Sequence, residues 1–322
     1  MNILVTGGAG YIGSTLVPIL LANGHRVYVL DNLMHGGQPL LGVWSHKEFR
    51  FTLGDIRDRE TIRSILTNID AIVHLAALVG DPACARQPEL ARSVNLDASL
   101  DLLAESRRCG VSRFIFASTC SNYGKMNDTS QYVDETSNLQ PISLYAEAKV
   151  TVEKAVLNPS QTEGLCATSL RFATVFGVSP RMRFDLTINE FPLEMLTKKH
   201  LVIYGEEFWR PYVHVTDAAR AINLVLESPT DKVQNQVFNV GSTEQNHQKQ
   251  QLVNMIKLHT PDVVIEYIRK EEDPRDYRVS FTKIREVLGF ETTHTVDDGI
   301  REIIQLVQDG VIIDFDNPIF RN

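Results

Sequence analysis

The sequence predicts an α/β chain, a doubly wound parallel sheet carrying a smaller mixed α/β portion in its second half. Three observations lead there. Apolar runs of strand length alternate with helix-length segments through the first half; the chain opens on a strand that breaks into glycines before a helix; and after about Arg171 the alternation loosens into short runs among loops.

The strand-like runs are NILVT, RVYVL, FRFTLGD, DAIVHLA, SRFIFAS and CATSLRF, with Tyr11 to Asn23 as the first helix. Parallel strands joined through helices need right-handed crossovers, so these runs belong to one sheet covered on both faces. Later, LVIYG, PYVHV, QVFNV and VVIEYI read as short strands, and apolar periodicity marks two amphipathic helices near Gln248 to Leu258 and Val296 to Gln308. The expected division is a nucleotide-binding unit over 1–170 and a mainly substrate-binding portion over 171–322, with some segments returning to the first sheet.

Composition narrows the function classes. The 322 residues carry Lys+Arg 32 against Asp+Glu 40, a formal charge of -8, which argues against nucleic acid or an anionic membrane as partner. Any anionic ligand must then be held by a few local cations and backbone amides. Cys84, Cys109, Cys120 and Cys166 form no CxxC pair, so neither a zinc site nor a disulfide framework is expected, and a reducing cytoplasm fits. MNILVTGG runs directly into glycines without a leader-like core, and no window approaches the ~18 apolar residues of a membrane span.

The stretch VTGGAGYIGS sets glycines between a strand and a helix, with Gly8, Gly10 and Gly13 in G-x-G-x-x-G spacing and Gly7, Gly10 and Gly13 in G-x-x-G-x-x-G spacing. Such a turn lets the backbone approach a diphosphate and aims a helix N-terminus at its charge, with Tyr11 and Ile12 inside the loop. A glycine run alone could be a plain turn; the flanking strand and helix favour a dinucleotide site. Asp31, 18 residues beyond Gly13 and followed by Asn32, can accept the adenosine ribose hydroxyls and would repel a 2′-phosphate, favouring NAD over NADP. The competing reading makes Asp31 only the start of a turn.

Tyr145 and Lys149, four residues apart in SLYAEAKVTVEKAV, share one helix face. A phenol is a poor base at neutral pH, but a neighbouring cation together with the positive charge of an oxidised nicotinamide favours the phenolate, which would let Tyr145 act as a base. Isolated Y-x-x-x-K spacings are common on solvated helices, so the context has to decide.

TGGAGYIG, Asp31, GDIRD at 54–58, HLAAL at 74–78, STCSNYG and YAEAK together resemble the extended short-chain dehydrogenase/reductase family of sugar-nucleotide epimerases and dehydratases, in order and interval over nearly the whole chain. The resemblance implies a Rossmann sheet, NAD as cofactor and a nucleotide-diphosphate sugar, GDP- or UDP-linked, as substrate. It implies that Thr119 is the catalytic hydroxyl, Tyr145 the base and Lys149 its partner and a cofactor ligand. It also implies that Asp55 and Ile56 contact adenine, that Leu75, Ala76 and Ala77 line the cofactor, and that the helices from about Glu89 to Arg108 and Ser143 to Leu157 pair across a homodimer.

The implied chemistry is oxidation at C4 of the sugar, Thr119 hydrogen-bonding the hydroxyl while Tyr145 removes its proton. Dehydratases of the family carry an Asp-Glu pair after the catalytic Thr, where this chain has Cys120 and Ser121, so a 4-epimerase is favoured over a 4,6-dehydratase. Cys120 is a further acid/base candidate, weighed against a thiol that packs as a small apolar group. In LRFATVFGVSPRMRFDL, Thr174 replaces a family Asn and Phe176 a Tyr; Thr174, Asn189 and Tyr204 are the expected sugar-nucleotide contacts, Asn189 at the diphosphate. Arg210 and Arg275 are the expected phosphate ligands, unless they form surface pairs with Glu206, Asp273 or Asp276. ALVGDP, the LRFATVFGVSPRMRFDL segment and EDPRDY look closest to a subgroup oxidising GDP-linked heptoses at C4, which keeps a GDP-heptose 4-dehydrogenase as an alternative. A dinucleotide-binding sensor without catalysis is the non-enzyme alternative, though such proteins typically lose the Tyr or Lys kept here.

Overall fold

The computed structural model describes residues 1–126, 128–268 and 275–322. Six strands follow the first-half runs: β1 (Asn2–Thr6), β2 (Arg26–Asp31), β3 (Phe49–Leu53), β4 (Ala71–His74), β5 (Arg113–Thr119) and β6 (Cys166–Phe172). Six more follow: β7 (Thr174–Phe176), β8 (His200–Tyr204), β9 (Trp209–His214), β10 (Gln236–Val240), β11 (Asn246–Gln248) and β12 (Val264–Ile268).

The main sheet runs β10-β6-β5-β4-β1-β2-β3, and every pairing in it is parallel. Being covered on both faces, its central strands can be apolar throughout, and Ile3, Leu4 and Val5 of β1 are fully buried. On one face helix Gly13–Ala22 packs against helix Val215–Glu227, interleaving Leu16, Val17 and Leu20 with Ala218, Ile222 and Val225. The other face carries helices Arg59–Leu66, Ala98–Arg108 and Leu144–Val156, whose Ile62, Leu102 and Val152 meet Leu4, Ile72 and Phe114.

β1 lies between β2 and β4, so chain order reverses there and leaves a crevice beyond the strand ends. Over that crevice sits a smaller assembly: β9 pairs with β7 and β11, β8 pairs with β12, and helix Thr187–Thr197 packs on helix Val296–Gln308.

The second half holds more helix than its two expected amphipathic segments. Thr187–Thr197 contains Pro192, which reads as a breaker, whereas Val215–Glu227, with Ala218, Ala219, Ala221 and Ile222 buried and Thr216, Arg220, Asn223 and Glu227 less so, carries an amphipathic pattern that the sequence does show. QVFNV, the run forming β10, is one of the segments that returns to the main sheet, beside β6.

Candidate active site

The strand ends and the glycine turn line a cleft of about 380 Å³. Gly7 has φ +74° and donates to the Leu30 carbonyl at 2.9 Å; a Cβ there would lie 2.8 Å from the Ala76 amide nitrogen. A Cβ on Gly13 would fall 2.3 Å from the Gly7 oxygen, so both positions need glycine for turn and helix to close on each other. Gly7, Gly10, Tyr11, Ile12, Gly13, Asp31, Asn32, Asp55, Ile56, Leu75, Ala76 and Ala77, all expected from the sequence, line the cleft. Asp31 ends β2; it accepts from the Ala9 and Leu33 amides at 2.9 and 2.8 Å, while burial holds its carboxyl above the ordinary range. Asp55 is gripped by Arg57 at 2.9 and 2.8 Å, which holds its carboxyl low.

β5 delivers Thr119 to the cleft, where its Oγ1 accepts from the Ser121 amide at 3.1 Å and caps a 3-10 turn over Cys120–Tyr123. Ser143 caps the next helix, accepting from the Ala146 amide at 3.2 Å and donating to Asp81 at 2.7 Å. That start sets Tyr145 and Lys149 one turn apart, both facing the cleft. Lys149 Nζ donates to the Ala117 carbonyl at 2.8 Å and lies 5.8 Å from the Tyr145 ring centre.

Burial pulls Lys149 down to about 8, and burial, with Cys84 and Asp81 nearby, pushes the Tyr145 phenol above its ordinary value. Desolvation therefore outweighs the neighbouring ammonium, which alone does not make Tyr145 a base at neutral pH.

Four expected site residues stand elsewhere. Cys120 is 1% exposed and absent from the cleft wall; its thiol donates to the Arg171 carbonyl at 3.3 Å, and burial raises it well above the usual thiol range. Asn189 is fully buried, donating to the Tyr11 oxygen at 3.0 Å and the Arg183 carbonyl at 2.8 Å while accepting from the Gly177 amide at 2.9 Å, which uses both of its amide protons within the protein. Tyr204 ends β8 and is exposed outside the cleft. Arg210 stacks 5.6 Å from the Tyr277 ring and bonds the Trp209 carbonyl at 2.7 Å, so it stands behind Tyr277, which does line the cleft.

Thr174 and Arg275 are on the wall, Arg275 pairing with Asp81 at 3.1 Å. Asp276 accepts from the Trp209 amide instead, and Asp273, the other proposed acidic partner in EDPRDY, lies outside the described residues.

Sequence reasoning missed Arg181 and Arg183, both buried on the cleft wall, together with His35, Asp81 and Tyr277. Arg183 is paired with Asp185 at 3.0 and 2.6 Å. Burial and the two guanidiniums push His35 down to about 4, so it is neutral. The alternation Arg-Met-Arg in extended chain puts both arginines on one side and was the available signal. Among the described residues, no group of three or more His, Cys, Asp or Glu is placed to hold a metal, and no helix is long and apolar enough to cross a membrane.

Comparison with known proteins extends this geometry. A family model described as "NAD dependent epimerase/dehydratase family" matches residues 3–241. The chain is 30% identical to a UDP-glucose 4-epimerase of Lacticaseibacillus casei over 95% of both chains. It is also 30% identical to a dTDP-glucose 4,6-dehydratase of Streptomyces niveus, over 96% of this chain and 94% of the relative. The crystal structure of the Thermus thermophilus UDP-glucose 4-epimerase in complex with NAD superposes with a TM-score of 0.84 at 28% identity, covering 97% of this chain and 100% of that one.

Proposed function

Since the chain belongs to the NAD dependent epimerase/dehydratase family, we propose that it oxidises C4 of a nucleotide-diphosphate sugar and returns the hydride to the other face, as a sugar-nucleotide 4-epimerase. The observation that carries this reading is the convergence of Thr119, Tyr145 and Lys149 on the cleft that also holds the glycine turn and Asp31. Bound NAD supplies the hydride acceptor and, on return, the donor.

The chain's own residues do the rest. The Thr119 hydroxyl, accepting from the Ser121 amide, keeps its proton to donate to the sugar O4. Tyr145 takes the O4 proton as the C4 hydrogen leaves as hydride, giving a ketone, and gives that proton back on return. Lys149 spends one ammonium donor on Ala117 and keeps two for ribose hydroxyls and for charge beside the phenol. Burial sets the Tyr145 phenol high, so its ionisation is expected only once positive charge joins Lys149 in the cleft.

Cys120 favours epimerisation over dehydration. Elimination needs a further acid and base after the catalytic hydroxyl, and of the two residues there the thiol is buried and bonded to Arg171, leaving Ser121 on the wall. UDP is the nucleotide named for two relatives above, while GDP rests on the segments ALVGDP and EDPRDY alone. The four cysteines are free thiols, which accords with a cytoplasmic setting.

The test is a panel of UDP-, GDP-, dTDP- and CDP-sugars with the purified protein, followed at 340 nm and by NMR of the products. Inversion at C4 of one of them is expected. Tight NAD binding with no absorbance change and no product from any sugar would instead favour the non-catalytic sensor.

A further inference from the structure

Arg181 is 4% exposed, lines the cleft, and leaves its Nε buried without a hydrogen-bond partner. Its Nη2 donates to the Arg321 carbonyl at 3.1 Å and the Asn322 side-chain oxygen at 2.7 Å, both neutral acceptors. Among the described residues no carboxylate reaches it within ion-pair distance, since Asp185 is taken by Arg183. Burial, with Arg183 beside it, lowers the guanidinium to about 10. A cation so placed is costly unless an anion completes it.

Its position says which anion. The Arg181 amide donates to Ser14 Oγ at 3.3 Å. Ser179 Oγ lies 3.1 Å from Ser14 Oγ and donates to the Tyr11 carbonyl at 2.7 Å, while Thr15 Oγ1 donates to Ser179 at 3.2 Å. Residues 179–181 therefore ride on the first turn of helix Gly13–Ala22, whose N-terminus favours a diphosphate. Arg181 is fastened to the glycine-turn side of the cleft, while Arg275 stands by Asp81 and the Ser143 cap.

We propose that Arg181 is a ligand for the diphosphate of the bound dinucleotide, reaching over from the second half of the chain to grip the group that the helix N-terminus holds from the other side. The same guanidinium fastens Arg321 and Asn322, so cofactor binding also orders the 320–322 segment at the cleft edge. The inference rests on reading this cleft as the NAD site. Native protein that bound no ADP-ribose would fault that reading rather than the role of Arg181.

The experiment is calorimetric titration of native, Arg181→Gln and Arg181→Lys protein with NAD, ADP-ribose, UDP and GDP. Losing a charge-assisted pair predicts about 10- to 100-fold weaker NAD and ADP-ribose in Arg181→Gln. The Lys variant should fall between, as a point charge lacking the fork, and UDP and GDP should be unchanged. Native-like affinity for NAD and ADP-ribose in both variants overturns the proposal. So does weakened UDP or GDP with intact ADP-ribose, which would assign Arg181 to the sugar nucleotide. Hydrogen exchange of the native protein needs no variant: ADP-ribose should protect residues 177–183, and no protection there contradicts the account.

Discussion

The Asp31 carboxylate and the Ala9 amide are hydrogen-bonded at 2.9 Å, so the acid at the end of β2 is tied to the glycine turn it faces. The carboxylate proposed to discriminate the ribose thus also holds the glycine turn. Asp31→Ala should erode the preference for NAD over NADP and weaken NAD itself, by about tenfold for one lost hydrogen bond. Dissociation constants for both dinucleotides check this. Equal or better NADP binding by the native protein would contradict the assignment.

Lys149 is predicted to cost stability. Its folded value of about 8 lies below the ordinary 10.5, so the penalty is full below pH 8 and fades as pH rises toward 10.5. That shift is worth about 3 kcal/mol, offset by about 1 kcal/mol for the bond to Ala117. Unliganded Lys149→Met should therefore melt higher than native protein at pH 7, with the gap closing by pH 10, while turnover is lost. A lower melting temperature at pH 7 would show that the ammonium stabilises the fold.

Much of this site was legible in the chain. Strand runs and the glycine turn are local patterns, whereas the strand order, with β10 returning beside β6, is set by tertiary packing. Thr119, Tyr145 and Lys149 are carried by a strand end and a helix repeat, so they arrived on one wall together. Residues on the second half depend on contacts no local pattern encodes. Asn189 is consumed by Tyr11, 178 positions away, and Tyr204 falls on the outward end of a strand. Arg210 was screened by Tyr277, and the Arg-Met-Arg alternation puts Arg181 and Arg183 on one side without saying that this side meets the cleft.

Behind the cleft, Arg171 and Glu153 form a buried pair at 2.6 Å, with Arg171 also donating to the Tyr123 hydroxyl at 2.8 Å and Tyr123 to Asn239 at 2.8 Å. Arg171→Leu strands a buried carboxylate and should destabilise by about 3–5 kcal/mol. Replacing both partners, as Glu153→Leu with Arg171→Leu, should recover part of that loss in a denaturant titration. A double variant no better than Arg171→Leu alone would show that the charge pair is not what is being lost.

The helix pair near 89–108 and 143–157 is proposed as the seam of a homodimer. Leu144, 50% exposed at the start of the second helix, is the apolar residue it would cover. Sedimentation at micromolar concentration should give a dimer, and Leu144→Glu should shift it toward monomer. A monomeric native protein would refute the seam.

The most direct measurement separates C4 oxidation from product formation in Tyr145→Phe and Cys120→Ala. With a sugar nucleotide that the native protein turns over, the 340-nm signal of a single turnover reads the first and NMR of the sugar reads the second. Tyr145→Phe should slow oxidation by about 10²- to 10⁴-fold with NAD still bound. Cys120→Ala should leave both steps near native, because its thiol faces Arg171 rather than the cleft. Intact oxidation with abolished product in Cys120→Ala would contradict the account and make the thiol a working acid/base.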